Sequence, residues 1–203
     1  MNEELKALTN NHTWSVVLLP AGKQAIGCCW ILKMKFKSDG SVDRHKAHLV
    51  AQGFTQKFGV DYKETFAPVA KMTIVRILLS FAVNQGWFLC QMDVRNAFLH
   101  GELEEEMFMK LPPGHLQNRS TTLVCKLHKS IYGLKQSSRA WHAKLSFALE
   151  NLGFTRSSAD SSLFIQLGSS YKLVVLIYVD DLIIAGSNND SITQLKRELQ
   201  QQF

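Results

Sequence analysis

Residues 171–186, YKLVVLIYVDDLIIAG, give the strongest structural signal in the chain, because two apolar runs flank a pair of aspartates. Both runs have the length and apolar character of buried strands. Asp180 and Asp181 repel one another and resist removal from water, so they require exposure to solvent or a neutralising cation. A β-hairpin that carries both aspartates at its tip, facing a cleft, meets this requirement. An Asp-Asp pair alone is also typical of ordinary surface turns, so a second signal is needed.

The second signal is Asp93, which stands 87 positions before Asp180 (180 minus 93) at the end of a predicted strand over residues 87–92. Transfer of a nucleotide to a hydroxyl group requires two divalent cations, one at the attacking oxygen and one at the triphosphate. Mg²⁺ keeps several waters and takes few protein carboxylates, so two or three aspartates from separate strands suffice. Asp93, Asp180 and Asp181 are therefore candidate magnesium ligands. From these residues alone, a helix cap or a turn is the favoured role of Asp93.

The composition is that of a globular protein with one or at most two domains, since 46% of the 203 residues are apolar and 20% are charged. The net charge of +6 permits a polyanionic partner but does not require one. The longest apolar stretch, Leu173–Val179, is too short to cross a bilayer, so we expect a soluble, non-secreted protein with no membrane partner. The four cysteines lack the paired spacing of a zinc site, so we expect reduced thiols in an intracellular compartment.

A basic hairpin is predicted between residues 30 and 50. The run from Trp30 to Lys37 predicts a strand, and from Leu32 onward apolar and basic residues alternate, so the strand shows ammonium groups on one face and apolar groups on the other. Residues 38–41, SDGS, predict a hairpin turn, and the returning strand carries Leu49 and Val50. The cations of this hairpin are Lys33, Lys35, Lys37, Arg44 and Lys46. A solvated charged face is an equally good interpretation of any one of them.

Four helices are predicted from apolar residues that recur at intervals of three and four. They cover residues 2–8, 72–83 and 137–152, and a final stretch that carries Ile192, Leu195, Leu199 and Phe203 on one face. Gly86 and Gly153 are the expected ends of the second and third helices. The acidic run ELEEE, residues 102–106, predicts a solvated helix face or a turn rather than further metal ligands.

Five segments, in a fixed order along the chain, carry a family resemblance. They are WILKMKFKSDGSVDRHKAHLVAQGF (30–54), DYKETFAPVAKMTIVR (61–76), QMDVRNAFLHGELEEEMFMKLPPG (91–114), LHKSIYGLKQSSRAWH (127–142) and LVVLIYVDDLIIAG (173–186). Together they closely resemble the reverse transcriptase domain of copia-type LTR retrotransposons, over nearly the whole chain. The resemblance raises metal binding well above a cap or turn as the expected role of Asp93.

The resemblance implies an α+β fold of the right-hand polymerase type, with an antiparallel palm sheet and packed helices. Residues 1–86 would form mainly the fingers, and residues 87–203 mainly the palm with interleaved fingers segments. Phe203 falls within the helix that follows the YVDD hairpin, so we expect a truncated domain from which the thumb and the RNase H region are absent. A catalytically inactive remnant that retains the fold and nucleic-acid binding is therefore the alternative function.

The activity implied by the resemblance is RNA-directed DNA polymerisation, in which dNTPs are added to the 3′-hydroxyl of a DNA primer on an RNA template. The expected cofactor is a pair of Mg²⁺ ions, with Mn²⁺ as a substitute. Their ligands would be Asp93, Asp180, Asp181 and the backbone carbonyl of Val94. A different two-metal enzyme, such as a nuclease, is disfavoured because nucleotide-selecting residues have no clear purpose in hydrolysis. Copia-type elements copy their RNA in cytoplasmic virus-like particles, which is the expected location, with the nucleus as the alternative.

Further site residues follow from the resemblance. Phe98 matches the aromatic steric gate that excludes a ribose 2′-hydroxyl, and its alternative role is that of a core phenylalanine. Gln136 matches a glutamine that lies along the incoming nucleotide, and its alternative is a solvated loop amide. The residues expected at the nucleotide also include Lys37, Arg44 and Lys46, and those expected at the primer and template are Lys33, Lys35, Tyr178 and Val179.

The chain departs from the family pattern at Cys29 and His48, which stand where the family usually has a lysine and an arginine. Two cations are lost by these changes. If the family's arginine holds the triphosphate, nucleotide binding is weakened, because a largely neutral imidazole cannot reproduce a bidentate guanidinium contact.

Overall fold

The computed structural model describes residues 1–115 and 122–203, and the chain divides into two compact units. The first unit consists of Met1–Phe66 and Phe98–Trp141, and the second of Ala67–Ala97 and His142–Phe203. The helices of the described ranges are α1 (Asn2–Asn10), α2 (Met72–Asn84), α3 (Ser137–Asn151) and α4 (Asn189–Gln202). The strands are β1 (Trp14–Leu18), β2 (Cys28–Phe36), β3 (Val42–Ala51), β4 (Phe88–Asp93), β5 (Glu102–Lys110), β6 (Leu123–Lys129), β7 (Thr155–Arg156), β8 (Leu163–Leu167), β9 (Lys172–Tyr178) and β10 (Asp181–Gly186).

The strands form three sheets, and each pairing between them is antiparallel. The first unit holds a three-stranded sheet in the order β1-β6-β5 and the separate hairpin β2-β3. The second unit holds a five-stranded sheet in the order β4-β10-β9-β8-β7. The predicted mixed α+β class with antiparallel sheets is therefore confirmed.

The core of the first unit lies between α1, the three-stranded sheet and the base of the β2-β3 hairpin. Leu8 of α1 and Leu49 of β3 are each only 1% exposed. They belong to one apolar cluster that also contains Ile26, Leu99, Met107, Met109, Cys125, Leu127 and Ile131. The predicted N-terminal helix is thus confirmed, and burial of its apolar face fixes it to the unit.

The β2-β3 hairpin has the predicted turn. The Lys37 N–H donates to the Ser41 carbonyl (2.9 Å), and the Asp39 carboxylate accepts from the Ser41 N–H (2.8 Å). β2 ends at Phe36, so Lys37 lies just beyond the strand. The apolar face of the hairpin is not buried, because Leu32 is 69% exposed.

The acidic run Glu102–Glu106 is not a helix face or a turn, as the sequence predicted, but part of β5. The prediction was wrong because a high density of charge does not distinguish a solvated helix face from a strand, which also exposes alternate residues. Here Glu102, Glu104 and Glu106 are exposed, and Met107, which follows the run, is buried. The Glu106 carboxylate lies 2.9 Å from both the Lys126 and the Lys23 ammonium groups, so two cations compensate its charge.

The second unit packs α2 and α4 against its five-stranded sheet. Leu78 and Ala82 of α2 are buried in a cluster with Leu176 and Ala185 of the central strands.

The predicted ends of two helices are confirmed by glycines with positive φ, +62° at Gly86 after α2 and +85° at Gly153 after α3. The face of the final helix predicted to be apolar is confirmed for Ile192, Leu195 and Leu199, which are buried, whereas Phe203 caps the end of α4 and is only half-buried. Across residues 1–115 and 122–203, no helix combines the length and apolar character needed to span a bilayer.

Candidate functional site

The predicted YVDD hairpin forms with a very tight turn, but of the two aspartates only Asp180 lies in the turn, since Asp181 is the first residue of β10. Tyr178 and Asp181 are cross-strand partners, so only Val179 and Asp180 form the turn. The favoured two-residue hairpin turns require positive φ at the first central residue, and one of the two types requires it at both. Val179 meets this requirement with a φ of 58°, although a β-branched side chain is strained in that region.

Asp93 and Asp181 are brought together by strand pairing. Asp93 is the last residue of β4, Asp181 is the first residue of β10, and the two are directly opposite in the antiparallel register. Residues opposite one another in such a pair have Cα atoms about 4.5–5.5 Å apart. Two carboxylates that are distant in sequence therefore share one end of the sheet.

The third carboxylate is held at the same end by the backbone. The Val94 N–H donates to the Asp180 carbonyl at 3.0 Å, which ties the turn to the residue after β4. Val94 is 5% exposed, so its side chain anchors this connection in the core. The sequence predicted a role for the Val94 carbonyl, whereas the contact that the structure shows is made by its N–H.

The donor set suits a hard divalent cation. Asp93 is exposed, Asp180 and Asp181 are half-buried, and the Gln91 side-chain amide donates to Asp181 Oδ1 at 3.1 Å. Among the described residues, no three His, Cys, Asp or Glu side chains converge into a ready-made metal cluster. The arrangement is thus an open group of carboxylates with access to water. Mg²⁺, which keeps most of its own waters and needs few protein oxygens, fits such a group.

Phe98 lies in a short 3₁₀ turn, Ala97–His100, in which its side chain is half-buried. Its ring meets the Tyr132 ring edge-on, with centroids 5.0 Å apart. Its carbonyl accepts hydrogen bonds from the Ser130 hydroxyl and, at 3.1 Å, from the Gly101 N–H. Phe98 is therefore held both by its ring and by its backbone.

Gln136 is only 2% exposed, so it is not the solvated loop amide considered from the sequence. Its Oε1 accepts from Gln56 Nε2 at 2.9 Å, and its own amide nitrogen donates to the Asp61 carbonyl at 3.1 Å. The Gln56 side-chain oxygen in turn accepts from the Lys135 N–H at 2.9 Å. The Gln136 amide thus belongs to a buried network that fixes the segment before α3.

Four of the predicted cations, Lys33, Lys35, Arg44 and Lys46, lie on one face of the β2-β3 hairpin, whereas Lys37 lies just beyond β2. Lys33 pairs with Lys46 and Lys35 with Arg44 in the cross-strand register. Like charges directly opposite one another destabilise a sheet, and an anionic ligand relieves this repulsion. The arrangement therefore suits a polyanion.

Sequence reasoning missed a set of contacts around His48. The His48 Nδ1 lies 3.2 Å from the Glu4 carboxylate, and the His48 ring packs on the Tyr132 ring with centroids 5.1 Å apart. Glu4 was part of a predicted helix and His48 was noted only for the arginine it replaces. No local pattern signals their pairing, because 44 positions separate them. Cys29, the other departure, is exposed.

Comparison with known proteins identifies the class to which this fold and site belong. Residues 11–203 match the family model described as reverse transcriptase (RNA-dependent DNA polymerase). The chain therefore belongs to the reverse transcriptase family.

Three of the relatives are transposon polyproteins. Over its full length the chain is 44% identical to the retrovirus-related Pol polyprotein from transposon RE2 of Arabidopsis thaliana and 40% identical to that from transposon TNT 1-94 of Nicotiana tabacum. Across 80% of its length it is 28% identical to the transposon Ty1-ER2 Gag-Pol polyprotein of Saccharomyces cerevisiae. The predicted likeness to copia-type reverse transcriptases is confirmed. The chain spans 14–15% of the two plant relatives and 9% of the yeast one.

Proposed function

We propose that this chain is the polymerase domain of a copia-type Pol polyprotein and adds dNTPs to the 3′-hydroxyl of a DNA primer on an RNA template. The observation that carries the proposal is the pairing of Asp93 with Asp181, together with the hydrogen bond that places Asp180 at the same strand end. Family membership supports the same activity, since residues 11–203 match the reverse transcriptase model.

In this proposal the second unit, which contains all three aspartates, acts as the palm. The first unit, which contains the basic hairpin, acts as the fingers. The segment Phe98–Trp141, which belongs to the first unit, would be the interleaved fingers segment. In the cell the domain would work as part of a longer polyprotein with thumb and RNase H regions, in cytoplasmic particles.

The carboxylates of Asp93, Asp180 and Asp181 would hold a pair of Mg²⁺ ions, or Mn²⁺ as a substitute, with the Val94 carbonyl as a further oxygen ligand. When bound, the cations would activate the primer hydroxyl and stabilise the leaving oxygen of the triphosphate. The protein contributes by holding the carboxylate ligands in position before the cations bind. Strand register sets Asp93 against Asp181, and the Gln91 amide orients the Asp181 carboxylate.

Nucleotide selection is proposed for Phe98 and Gln136. The Phe98 ring would exclude a ribose 2′-hydroxyl and so favour dNTPs. Gln136 would act by fixing the backbone that borders the nucleotide, because both ends of its amide are engaged within the protein. The triphosphate would be bound by Lys37, Arg44 and Lys46.

Contacts with the primer and template are proposed for the remaining residues. Tyr178 is 42% exposed and stands opposite Asp181, so its ring can meet the primer end. Val179 would shape the turn beside it. Lys33 and Lys35 would contact template phosphates, because their ammonium groups lie on the exposed cationic face of the hairpin.

Primer extension on poly(A) with an oligo(dT) primer and dTTP tests the proposal. We expect Mg²⁺-dependent incorporation by the wild-type domain, and a loss of at least about a hundredfold in Asp180→Asn. Asp190→Asn is the matched control, since this exposed aspartate lies in the first turn of α4 and away from the site. The assay is run on residues 1–203 and on the longer Pol chain. Absence of incorporation by both would reject the proposal and favour an inactive remnant.

A further inference from the structure

Helix α1 precedes the part of the chain that matches the reverse transcriptase family, because the match begins at residue 11. The helix is nevertheless built into the first unit, with Leu8 1% exposed in the core. Two chains of contacts connect this helix to Phe98. One begins on α1 and reaches the Phe98 ring, and the other begins at Asn11, the C-terminal cap of α1, and reaches the backbone beside Phe98.

The first route passes through side chains. The Glu4 carboxylate lies 3.2 Å from His48 Nδ1, and the side chains of this pair are only 11% and 17% exposed. The His48 ring packs on Tyr132 at 5.1 Å, and the Tyr132 ring meets the Phe98 ring edge-on at 5.0 Å. These four side chains form a continuous line of contacts from the helix to the Phe98 ring.

The second route passes through the backbone. The Asn11 side-chain amide donates to the Leu99 carbonyl at 2.5 Å, directly after Phe98. The Asn11 oxygen accepts from Lys129 Nζ at 2.8 Å, which holds the amide in place. Ser130, next to Lys129 and fully buried, donates its hydroxyl hydrogen to the Phe98 carbonyl.

Tyr132 is itself fixed by its backbone. Its carbonyl accepts from the Ala51 N–H at 2.8 Å, at the end of β3. Gly133, which follows, has a φ of +90°, and a side chain there would collide with the Ala51 carbonyl. The Tyr132 ring is therefore a supported surface against which Phe98 rests.

From these contacts we infer that α1 positions Phe98, through Glu4, His48 and Tyr132, and thereby sets the discrimination between deoxyribo- and ribonucleotides. The inference rests on the proposed function, in which the Phe98 ring excludes the 2′-hydroxyl. The Phe98 ring can exclude a 2′-hydroxyl only if the ring cannot move aside. The residues that pack behind the ring therefore determine the degree of discrimination against ribonucleotides. Glu4, His48 and Tyr132 are positioning residues in this account.

The inference also assigns a role to the histidine that replaces the family's arginine. His48 lies between a carboxylate and an aromatic ring. Imidazole can hydrogen-bond to the carboxylate and pack on the aromatic ring, here with the two ring planes tilted by 49°, so it suits this place within the first unit.

The experiment compares the ratio of kcat/KM for dUTP to that for UTP, which differ only in the 2′-hydroxyl, in the wild-type chain and in variants. Tyr132→Leu removes the supporting ring, and we expect the ratio to fall about three- to tenfold, the range that one aromatic edge contact supports. Tyr132→Phe keeps the aromatic ring, so this variant should retain the wild-type ratio. Glu4→Ala should lower the ratio, whereas Glu3→Ala, an exposed neighbour on the same helix, should not. An unchanged ratio in Tyr132→Leu would overturn the inference.

A second measurement separates this inference from the proposed function. Hydrogen exchange of the Gly101 amide, which donates to the Phe98 carbonyl, reports on the Phe98 turn without any need for catalysis. We expect faster exchange of this amide in Glu4→Ala and Tyr132→Leu but not in Glu3→Ala or Tyr132→Phe. Unchanged exchange in the first two variants would reject the positioning role even in an inactive chain. Lack of incorporation by the wild-type chain would instead reject the proposed function.

Discussion

Asp93 and Asp181 stand directly opposite one another where β4 and β10 end. Like charges in such a cross-strand pair destabilise the sheet by about 0.2–1 kcal/mol. The pair therefore lowers stability at the place where it would hold a cation. This conflict between stability and function is typical of sites selected for binding.

The first prediction concerns this repulsion. Asp181→Asn should raise the free energy of unfolding of the cation-free protein by about 0.2–1 kcal/mol, because it removes one of two facing charges. Urea unfolding in EDTA measures the change. Asp190→Asn, on α4, serves as the control and should not be stabilising. A clear loss of stability in Asp181→Asn would show that its carboxylate supports the fold rather than a ligand.

The second prediction concerns the strained turn. Val179 has a φ of 58°, a region that costs a β-branched residue roughly 1–3 kcal/mol. Val179→Gly should therefore stabilise the protein by about 1 kcal/mol, after allowance for the greater freedom of glycine in the unfolded chain. Val174→Gly, within β9, should destabilise it instead. If both variants lose stability in chemical denaturation, the turn does not store strain.

The third prediction concerns the buried His142. Burial, and to a lesser degree the nearby Arg156 guanidinium, lower the pKa of His142 below its ordinary value of 6.5. The unfolded chain then binds a proton more readily than the folded one, so stability is complete above about pH 6.5 and decreases as the pH falls below it. Replacing His142 with Gln should flatten the dependence of unfolding free energy on pH between 7.5 and 5.5. The same replacement of the exposed His45 should leave the wild-type slope, and equal slopes in both variants would contradict this account.

The fourth prediction concerns the basic face of the β2-β3 hairpin. Lys33→Ala and Lys46→Ala should weaken binding of single-stranded RNA of any sequence. Each lost phosphate contact should also reduce the slope of log K against log salt by about 0.7. Fluorescence anisotropy at several salt concentrations measures both effects. Lys6→Ala, on the surface of α1, is the control, and an equal loss of affinity in it would indicate only a general effect of net charge.

Much of the fold was predictable because its signals are local. Apolar spacing marked the helices, and the flanking runs around Asp180 and Asp181 marked the hairpin and its turn. Charge composition was misleading at residues 102–106, where alternation with Leu103 and Met107 produces a strand rather than a helix face. The exposure of Leu32 could not be foreseen, since alternation shows which residues share a face but not whether that face is covered.

The candidate site was predictable only in part. Family resemblance pointed to Asp93, Asp180 and Asp181, but their register depends on pairing between strands that are distant in sequence. The buried network of Gln136 and the contact of Glu4 with His48 likewise depend on tertiary packing. No periodicity within one segment encodes such contacts.

Single-turnover addition of one dTMP to an oligo(dT) primer on poly(A), by wild-type protein and by Asp181→Asn, tests whether the paired aspartates form the polymerase site. Both are compared at equal folded concentration with Mg²⁺ varied. We expect Mg²⁺-dependent addition by the wild-type protein and a rate at least about a hundredfold lower in Asp181→Asn, with its fold intact. Equal rates in the two proteins would contradict the assignment of the paired aspartates as the polymerase site.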